Sequence, residues 1–342
     1  MKKILTAIDL FSGCGGLSQG LKDADFKVLA AVEFNSKARE TYSLNHPEVP
    51  LVGLDIRHIS VKQILKSTGI RKGELDLLAG CPPCQGFSTL RHRNGKEHSL
   101  DKRNDLIDEF SRLALGLRPK LIMMENVPGL AKFDKFQSFV LSLKKAGYTV
   151  NYKILDVSLY GVPQRRKRLI LAASRVGVAE LSEPLPNKIS VRTAIGNLPE
   201  VGESNDPVHD LASKGHSLRI QTLIEAIPKN GGSRCSLPLS MQLNCHREQS
   251  GFNDVYGRMK WDDVSPTITS GCTNPSKGRF IHPEKNRSIT LREAAILQGF
   301  PVTYKFNIAH GKGSVSLMIG NALPPPFIMA HTMAMSKGLR NG

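Results

Sequence analysis

The 342-residue sequence predicts an α/β fold, with a Rossmann-like first part and a smaller, loop-rich domain inserted before the C-terminal helices. Three observations carry this expectation. Short apolar runs alternate with helical patterns through the first half of the chain, and the first run leads into a glycine-rich turn. After about Ala179 that periodicity gives way to prolines, glycines, asparagines and serines, and it resumes only after about Ser288. Alternating strands and helices argue for a largely parallel sheet, which gathers its ligands along one edge of strand ends. The expected division is 1–178 for a catalytic and cofactor-binding domain, 179–288 for the insert, and 289–342 for a segment completing the first domain.

Ile4 to Leu10 reads as the first strand, and Phe11-Ser12-Gly13-Cys14-Gly15-Gly16 then turns the chain into a helix beginning near Leu17. Ser18 stands where the dinucleotide fingerprint needs its third glycine, which counts against NAD or FAD. The second strand, Phe26 to Val32, ends in Glu33, where a carboxylate can accept both hydroxyls of a ribose. A helix from Ser36 to Asn45 precedes a third strand closing on Val52-Gly53-Leu54-Asp55-Ile56, with Asp55 placed to accept from an adenine amino group.

Leu75 to Ala79 reads as a short buried strand that delivers Gly80-Cys81-Pro82-Pro83-Cys84-Gln85-Gly86-Phe87-Ser88 to a strand-end loop. The two prolines leave this loop few alternative shapes, so a thiol can be held at one point in space, as a nucleophile requires. A CxxC metal or redox pair is the alternative reading of the same residues. Thr89 to Asn104 is polar and basic, with little apolar periodicity, and suggests a lid.

A helix over 105–117 leads into the strand Lys120 to Met124, and the Glu125 carboxylate that follows shares a sheet edge with Cys84. The pattern continues with a helix over 134–146 and strands Tyr148 to Leu155 and Leu169 to Ala173. Between those strands, Gln164, Arg166 and Arg168 share one face of an extended segment while Arg165 and Lys167 share the other. Near the C-terminus, Thr290 with Glu293 three residues on caps a helix reaching Gln298, and a last apolar helix follows Ile319 to Pro326.

The net charge of +17 calls for a polyanionic partner, and the basic residues are clustered, as in Arg91-His92-Arg93 and Gln164 to Arg168. No apolar run approaches the ~20 residues of a membrane span, and the run after Met1-Lys2-Lys3 is too short for a signal peptide. The six cysteines follow no framework spacing and read as reduced thiols. A soluble, cytoplasmic, nucleoid-associated protein without a membrane partner is the expectation.

Taken in order, these motifs resemble those of the bacterial DNA (cytosine-5) methyltransferase family over nearly the whole chain. Asp9 to Gly16 is similar to its cofactor loop, Pro83-Cys84-Gln85 to its nucleophile, Glu125-Asn126-Val127 to its acid, and Gln164, Arg166 and Arg168 to its QxRxR element. Arg292 to Pro301 resembles the segment after the target-recognition domain, and Gly320-Asn321-Ala322 the terminal element. The resemblance implies a Rossmann-like S-adenosylmethionine-dependent methyltransferase domain, with 179–288 as target-recognition domain. It also implies S-adenosyl-L-methionine as cofactor, with Phe11 against the adenine, Glu33 on the ribose, Asp55 on the amino group and Asn321 near the methionine part. Gly13, Gly15, Gly16, Leu17, Ile56, Pro83 and Ala322 line the same expected site.

The resemblance selects Cys84 as nucleophile, leaves Cys81 structural, and implies no metal. Glu125, Gln164, Arg166 and Arg168 complete the expected catalytic set, and double-stranded DNA is the expected partner, through Ser88, Arg91, Arg93, Asn126, Arg258 and Arg279. Leu323, where many relatives carry valine, and Leu54, between Gly53 and Asp55, depart from the family pattern. A cognate restriction endonuclease is a further expected partner, and the enzyme is expected to be a monomer. The alternatives are a tRNA cytosine-5 methyltransferase and a non-catalytic, zinc-containing nucleic-acid-binding protein.

Overall fold

The structure is a computed structural model, and it describes residues 4–83, 106–211, 216–242 and 254–340. Cys84, Ser88, Arg91, Arg93 and the expected lid from Thr89 to Asn104 lie outside the described residues. Two compact units emerge: Met1–Tyr160 with Lys167–Pro184 and Leu323–Gly342, and Gly161–Arg166 with Leu185–Ala322. Among the described residues no helix is long and apolar enough to cross a membrane.

The first unit is built on a six-stranded sheet of order β2-β1-β3-β4-β6-β5. Its strands are β1 (Leu5–Leu10), β2 (Phe26–Val32), β3 (Leu77–Gly80), β4 (Leu121–Asn126), β5 (Thr149–Asp156) and β6 (Lys167–Ser174). β1 pairs in parallel with β2 and β3, β3 pairs in parallel with β4, and β6 runs antiparallel between β4 and β5. β3, β4 and most of β1 and β6 are buried, which explains their near-continuous apolar runs. β5 forms the edge and shows exposed positions such as Lys153 and Ile154.

Among the described residues, five helices connect these strands: α1 (Gly16–Asp23), α2 (Ser36–Asn45), α3 (Val61–Thr68), α4 (Leu106–Leu117) and α5 (Asp134–Lys145). α4 and α5 bury Phe110, Leu113, Phe136 and Phe139 in one cluster with Ile8, Leu10, Leu78 and Met124 of the sheet. The C-terminal helix, Pro325–Arg340, returns to pack against α1. Gly20 makes that crossing possible, because a Cβ there would sit 2.5 Å from the Pro325 carbonyl oxygen. At the sheet edge away from the site, Asp76 accepts from Thr6 N at 2.8 Å and from Lys120 Nζ at 2.6 Å, a carboxylate used to tie strands.

Two differences from the expected elements have local causes. Val52 to Ile56 forms no strand: Gly53 turns left-handed, with φ 73°, and Asp55 caps a short 3-10 turn, leaving only a bridge between Leu51 and Ala31. α3 was not expected, yet Ser60 and Gln63 form a reciprocal capping box at its start.

The second unit is loop-rich, as expected of the insert. It carries α6 (Val191–Ile195), α7 (Pro207–Asp210), α8 (Leu218–Ala226), α9 (Leu291–Leu297) and α10 (Gly311–Asn321). The compact units divide the chain differently from the expected 178 and 288 boundaries. α9 and α10 belong to the second unit, because α9 packs on α6, α7 and α10, and only Leu323–Gly342 returns to the first. The capping box of Thr290 and Glu293 is present at the start of α9.

The arginines expected to touch DNA from this unit have another task. Arg258 is fully buried and donates to the carbonyls of Ile224, Ile227, His282 and Lys285 and to Asn286 Oδ1. Arg279 donates to the carbonyls of Gly231, Gly232 and Arg258 and pairs with Asp254. The expectation for Arg258 is therefore corrected: its buried guanidinium gathers carbonyls from the end of α8 and from the loops that follow. Arg258→Lys keeps the charge but cannot fill the fork, and it is expected to lower the stability of the unit by about 2 kcal/mol in denaturant unfolding. A base-reading Arg258 would instead change sequence preference with stability intact.

Candidate cofactor and catalytic site

The strand register sets the site. Leu10 lies opposite both Val32 and Gly80, and Gly80 lies opposite Met124, so the residues that follow these strands emerge along one sheet edge. Phe11, Glu33 and Cys81 are those residues, and Glu125, next to last in β4, follows Met124 at the same edge. Gly80 is required there, because a Cβ would lie 2.7 Å from the Leu10 carbonyl oxygen and 2.9 Å from the Phe110 ring.

After β1 the chain makes a tight turn closed by Gly15 N donating to Ser12 O at 2.9 Å. Gly13 and Gly15 have positive φ, and so does Phe11, at 64°, an uncommon conformation for a bulky residue that often marks a functional loop. Gly16 and Leu17 are buried at the start of α1. Asp9, buried at the end of β1, accepts from Ser18 Oγ at 2.6 Å, and burial pushes its carboxyl up to about 7.

Glu33 is clamped from both sides. Its Oε2 accepts from Gly13 N at 2.8 Å and its Oε1 from Asn35 N at 2.7 Å. Arg39, which the sequence did not single out, donates to the carbonyls of Glu33 and Gly53 at 3.0 and 2.8 Å and so links the two acidic loops. Asp55 is engaged with Arg57, whose Nε reaches both carboxylate oxygens at 2.9 and 3.0 Å, and this hydrogen bonding holds the carboxyl below its ordinary value. Ile56 beside it is buried.

Glu125 is 2 % exposed and held by two groups. Cys81 Sγ donates to Oε2 at 3.0 Å, and Arg168 Nε lies 2.8 Å from Oε1 as an ion pair. Asn126, buried at the end of β4, donates from Nδ2 to the Pro82 carbonyl at 2.8 Å and accepts from Val127 N. Its expected DNA contact is thereby corrected, since the side chain fixes the cysteine loop from within. Pro83 itself is exposed.

The basic segment after Tyr160 alternates as expected: Gln164 and Arg166 are buried, whereas Arg165 and Lys167 are exposed. Its three inward residues nevertheless fall to different units. Gln164 donates to Gln298 Oε1 at 2.8 Å and accepts from Ile268 N at 2.7 Å. Arg166 donates to the carbonyls of Ile268 and Gly320 at 2.9 and 3.0 Å. Both side chains knit the second unit. Arg168 alone reaches Glu125. Asn321 and Ala322 close α10 in the second unit, with Asn321 exposed.

The family model for C-5 cytosine-specific DNA methylases matches residues 5–337. The Type II methylase M.HgiDII of Herpetosiphon aurantiacus is 36% identical over 334 residues, covering 93% of this chain and 91% of that protein. The Type II methyltransferase M1.HphI of Haemophilus parahaemolyticus is 32% identical over 340 residues, covering 97% and 87%. Among solved structures, a prophage-encoded protein of E. coli superposes with a TM-score of 0.75 at 24% identity, covering 99% of this chain and 100% of that one, which supports the fold. The non-catalytic, zinc-containing reading is thereby set aside. Strand-end acids on one sheet edge and a match spanning nearly the whole sequence lead to one conclusion: the chain belongs to the C-5 cytosine-specific DNA methylase family and is a DNA (cytosine-5-)-methyltransferase.

Proposed function

We propose that the protein methylates C5 of a flipped-out cytosine within a specific double-stranded DNA sequence, using S-adenosyl-L-methionine and a covalent bond from Cys84 to C6. The observation that carries this reading is Glu125, buried at the strand edge beside the cysteine loop and paired with Arg168. The donor set around the glycine turn fits the cofactor. Glu33 and Asp55 offer acceptors for hydroxyl and amino groups. Phe11, Glu33 and Asp55 would hold the nucleoside part, with Gly13 to Leu17 forming the floor. Bound there, S-adenosylmethionine supplies an electrophilic methyl group.

The chain's own residues prepare the ring to accept that methyl. Cytosine C5 is a weak nucleophile, and addition of the Cys84 thiolate to C6 makes it enamine-like. Glu125, once protonated, would donate to N3 and stabilise the charge that addition places on the ring. Arg168 orients that carboxyl. After C5 is methylated, a water molecule takes the C5 proton, the electron pair returns to the ring and expels the Cys84 sulfur as thiolate, and N3 gives its proton back to Glu125. None of these atoms can be reached inside a duplex, so the base is extruded at a cost of about a few kcal/mol.

Bisulfite sequencing of DNA from cells expressing the protein tests this reading and identifies the site. Protection of one cytosine in a recurring sequence supports it, and an unchanged pattern refutes it. The clustered positive charge adds a second expectation. Each neutralised phosphate contributes about 0.9 to the slope of log K against log salt, so duplex binding is expected to fall steeply between about 50 and 200 mM. A flat titration would contradict the electrostatic part. A restriction endonuclease of the same specificity is the expected companion, and modified DNA resisting cleavage by it is the corresponding observation.

A further inference from the structure

We infer that Cys81 is a positioning residue for Glu125, its thiol fixing one carboxylate oxygen while Arg168 fixes the other. The inference rests on the role given above to Glu125, and it assigns to the motif's first cysteine a task other than filling space. Sγ lies 3.0 Å from Oε2 of a carboxyl that is 2 % exposed. An acceptor so buried is costly to leave unpaired, and the thiol is the hydrogen-bond donor that reaches Oε2 among the described residues.

The thiol is itself held in place. Cys81 N donates to the Leu10 carbonyl at 3.3 Å, which sets the residue as a continuation of the β3 pairing with β1. The next carbonyl, that of Pro82, accepts from Asn126 Nδ2 at 2.8 Å, so the loop is tied to the residue after Glu125. Cys81, Glu125 and Asn126 thus form a clasp between the ends of β3 and β4. Facing Glu125 across the sheet on β6 is Ile170, which offers no polar group, and Arg168 is the charged neighbour.

A thiol suits this place because it is a weak donor. It satisfies Oε2 without adding a second charge, and it yields that oxygen at small cost when the carboxyl must turn to a ring nitrogen. Alanine at 81 would leave Oε2 without this donor and let the carboxyl rotate about the Arg168 contact. Serine would restore a donor of similar reach.

The test is a double-mutant cycle in steady-state methyl transfer with the full chain, duplex DNA and S-adenosylmethionine. Cys81→Ala is expected to lower kcat about 5- to 20-fold, with KM for cofactor and DNA little changed, and Cys81→Ser to recover most of the loss. In a Glu125→Ala background, which removes the acceptor, the further loss from Cys81→Ala is expected to shrink below about 2-fold, because the two residues act as one unit. An equal loss in both backgrounds, or a Cys81→Ser variant no better than Cys81→Ala, would show that Cys81 acts through the loop and overturn the inference. A Glu125→Gln variant with wild-type turnover would overturn the role of Glu125 itself, whatever the cysteine does.

Discussion

Cys84→Ser is expected to lose methyl transfer entirely while still binding duplex DNA. A serine hydroxyl at neutral pH is far less nucleophilic than a thiolate, and nothing else in the proposed reaction can make C5 attack. Affinity for duplex comes largely from phosphate contacts, which the substitution leaves alone. The measurement is tritium transfer from labelled S-adenosylmethionine, alongside a binding titration at fixed salt. Transfer at more than a trace of the wild-type rate would remove Cys84 from the chemistry.

Glu125→Gln is expected to slow methyl transfer about 100-fold or more, the usual scale for a lost general acid. The amide keeps the size of the side chain and can still accept from Cys81. It cannot form the ion pair with Arg168 that lies 2.8 Å away in the native chain. Fold and cofactor affinity should hold, since Glu33 and the glycine turn are held by bonds of their own. Glu33→Ala is expected to behave in the opposite sense, weakening cofactor binding, which equilibrium dialysis with S-adenosylmethionine would measure. Wild-type turnover by Glu125→Gln together with unchanged affinity in Glu33→Ala would reverse both assignments.

Much of this site was legible in the sequence because strand ends carry their own punctuation. Apolar runs that stop at a glycine turn, at Glu33, at Gly80 and at Glu125 mark one sheet edge, and the register aligns them as the pattern implied. What eluded the sequence was the choice of partner. Alternation separates Gln164, Arg166 and Arg168 from Arg165 and Lys167, but it says nothing of which neighbours meet the inward face, and two of the three inward residues serve Ile268, Gln298 and Gly320.

Arg258 makes the same point more sharply. In a basic, loop-rich segment an arginine reads as a DNA contact, yet loops without ladders leave carbonyls unpaired, and a buried guanidinium is well shaped to gather them. The missed helix α3 was within reach, through the spacing of Ser60 and Gln63. The expected strand at Val52 to Ile56 failed for a reason equally local, because the polar side chain of Asp55 found its backbone partner in a turn.

Covalent catalysis through Cys84 is tested most directly with duplex DNA carrying 5-fluorocytosine at the target position. Thiolate addition and methyl transfer can proceed on this base, but C5 then holds no proton to remove, so the sulfur cannot leave. A complex that survives denaturation, requires S-adenosylmethionine, forms in the wild type and in Cys81→Ser, and is absent in Cys84→Ser is the expected result. An adduct that persists in Cys84→Ser and vanishes in Cys81→Ser, or no adduct even in the wild type, would contradict it.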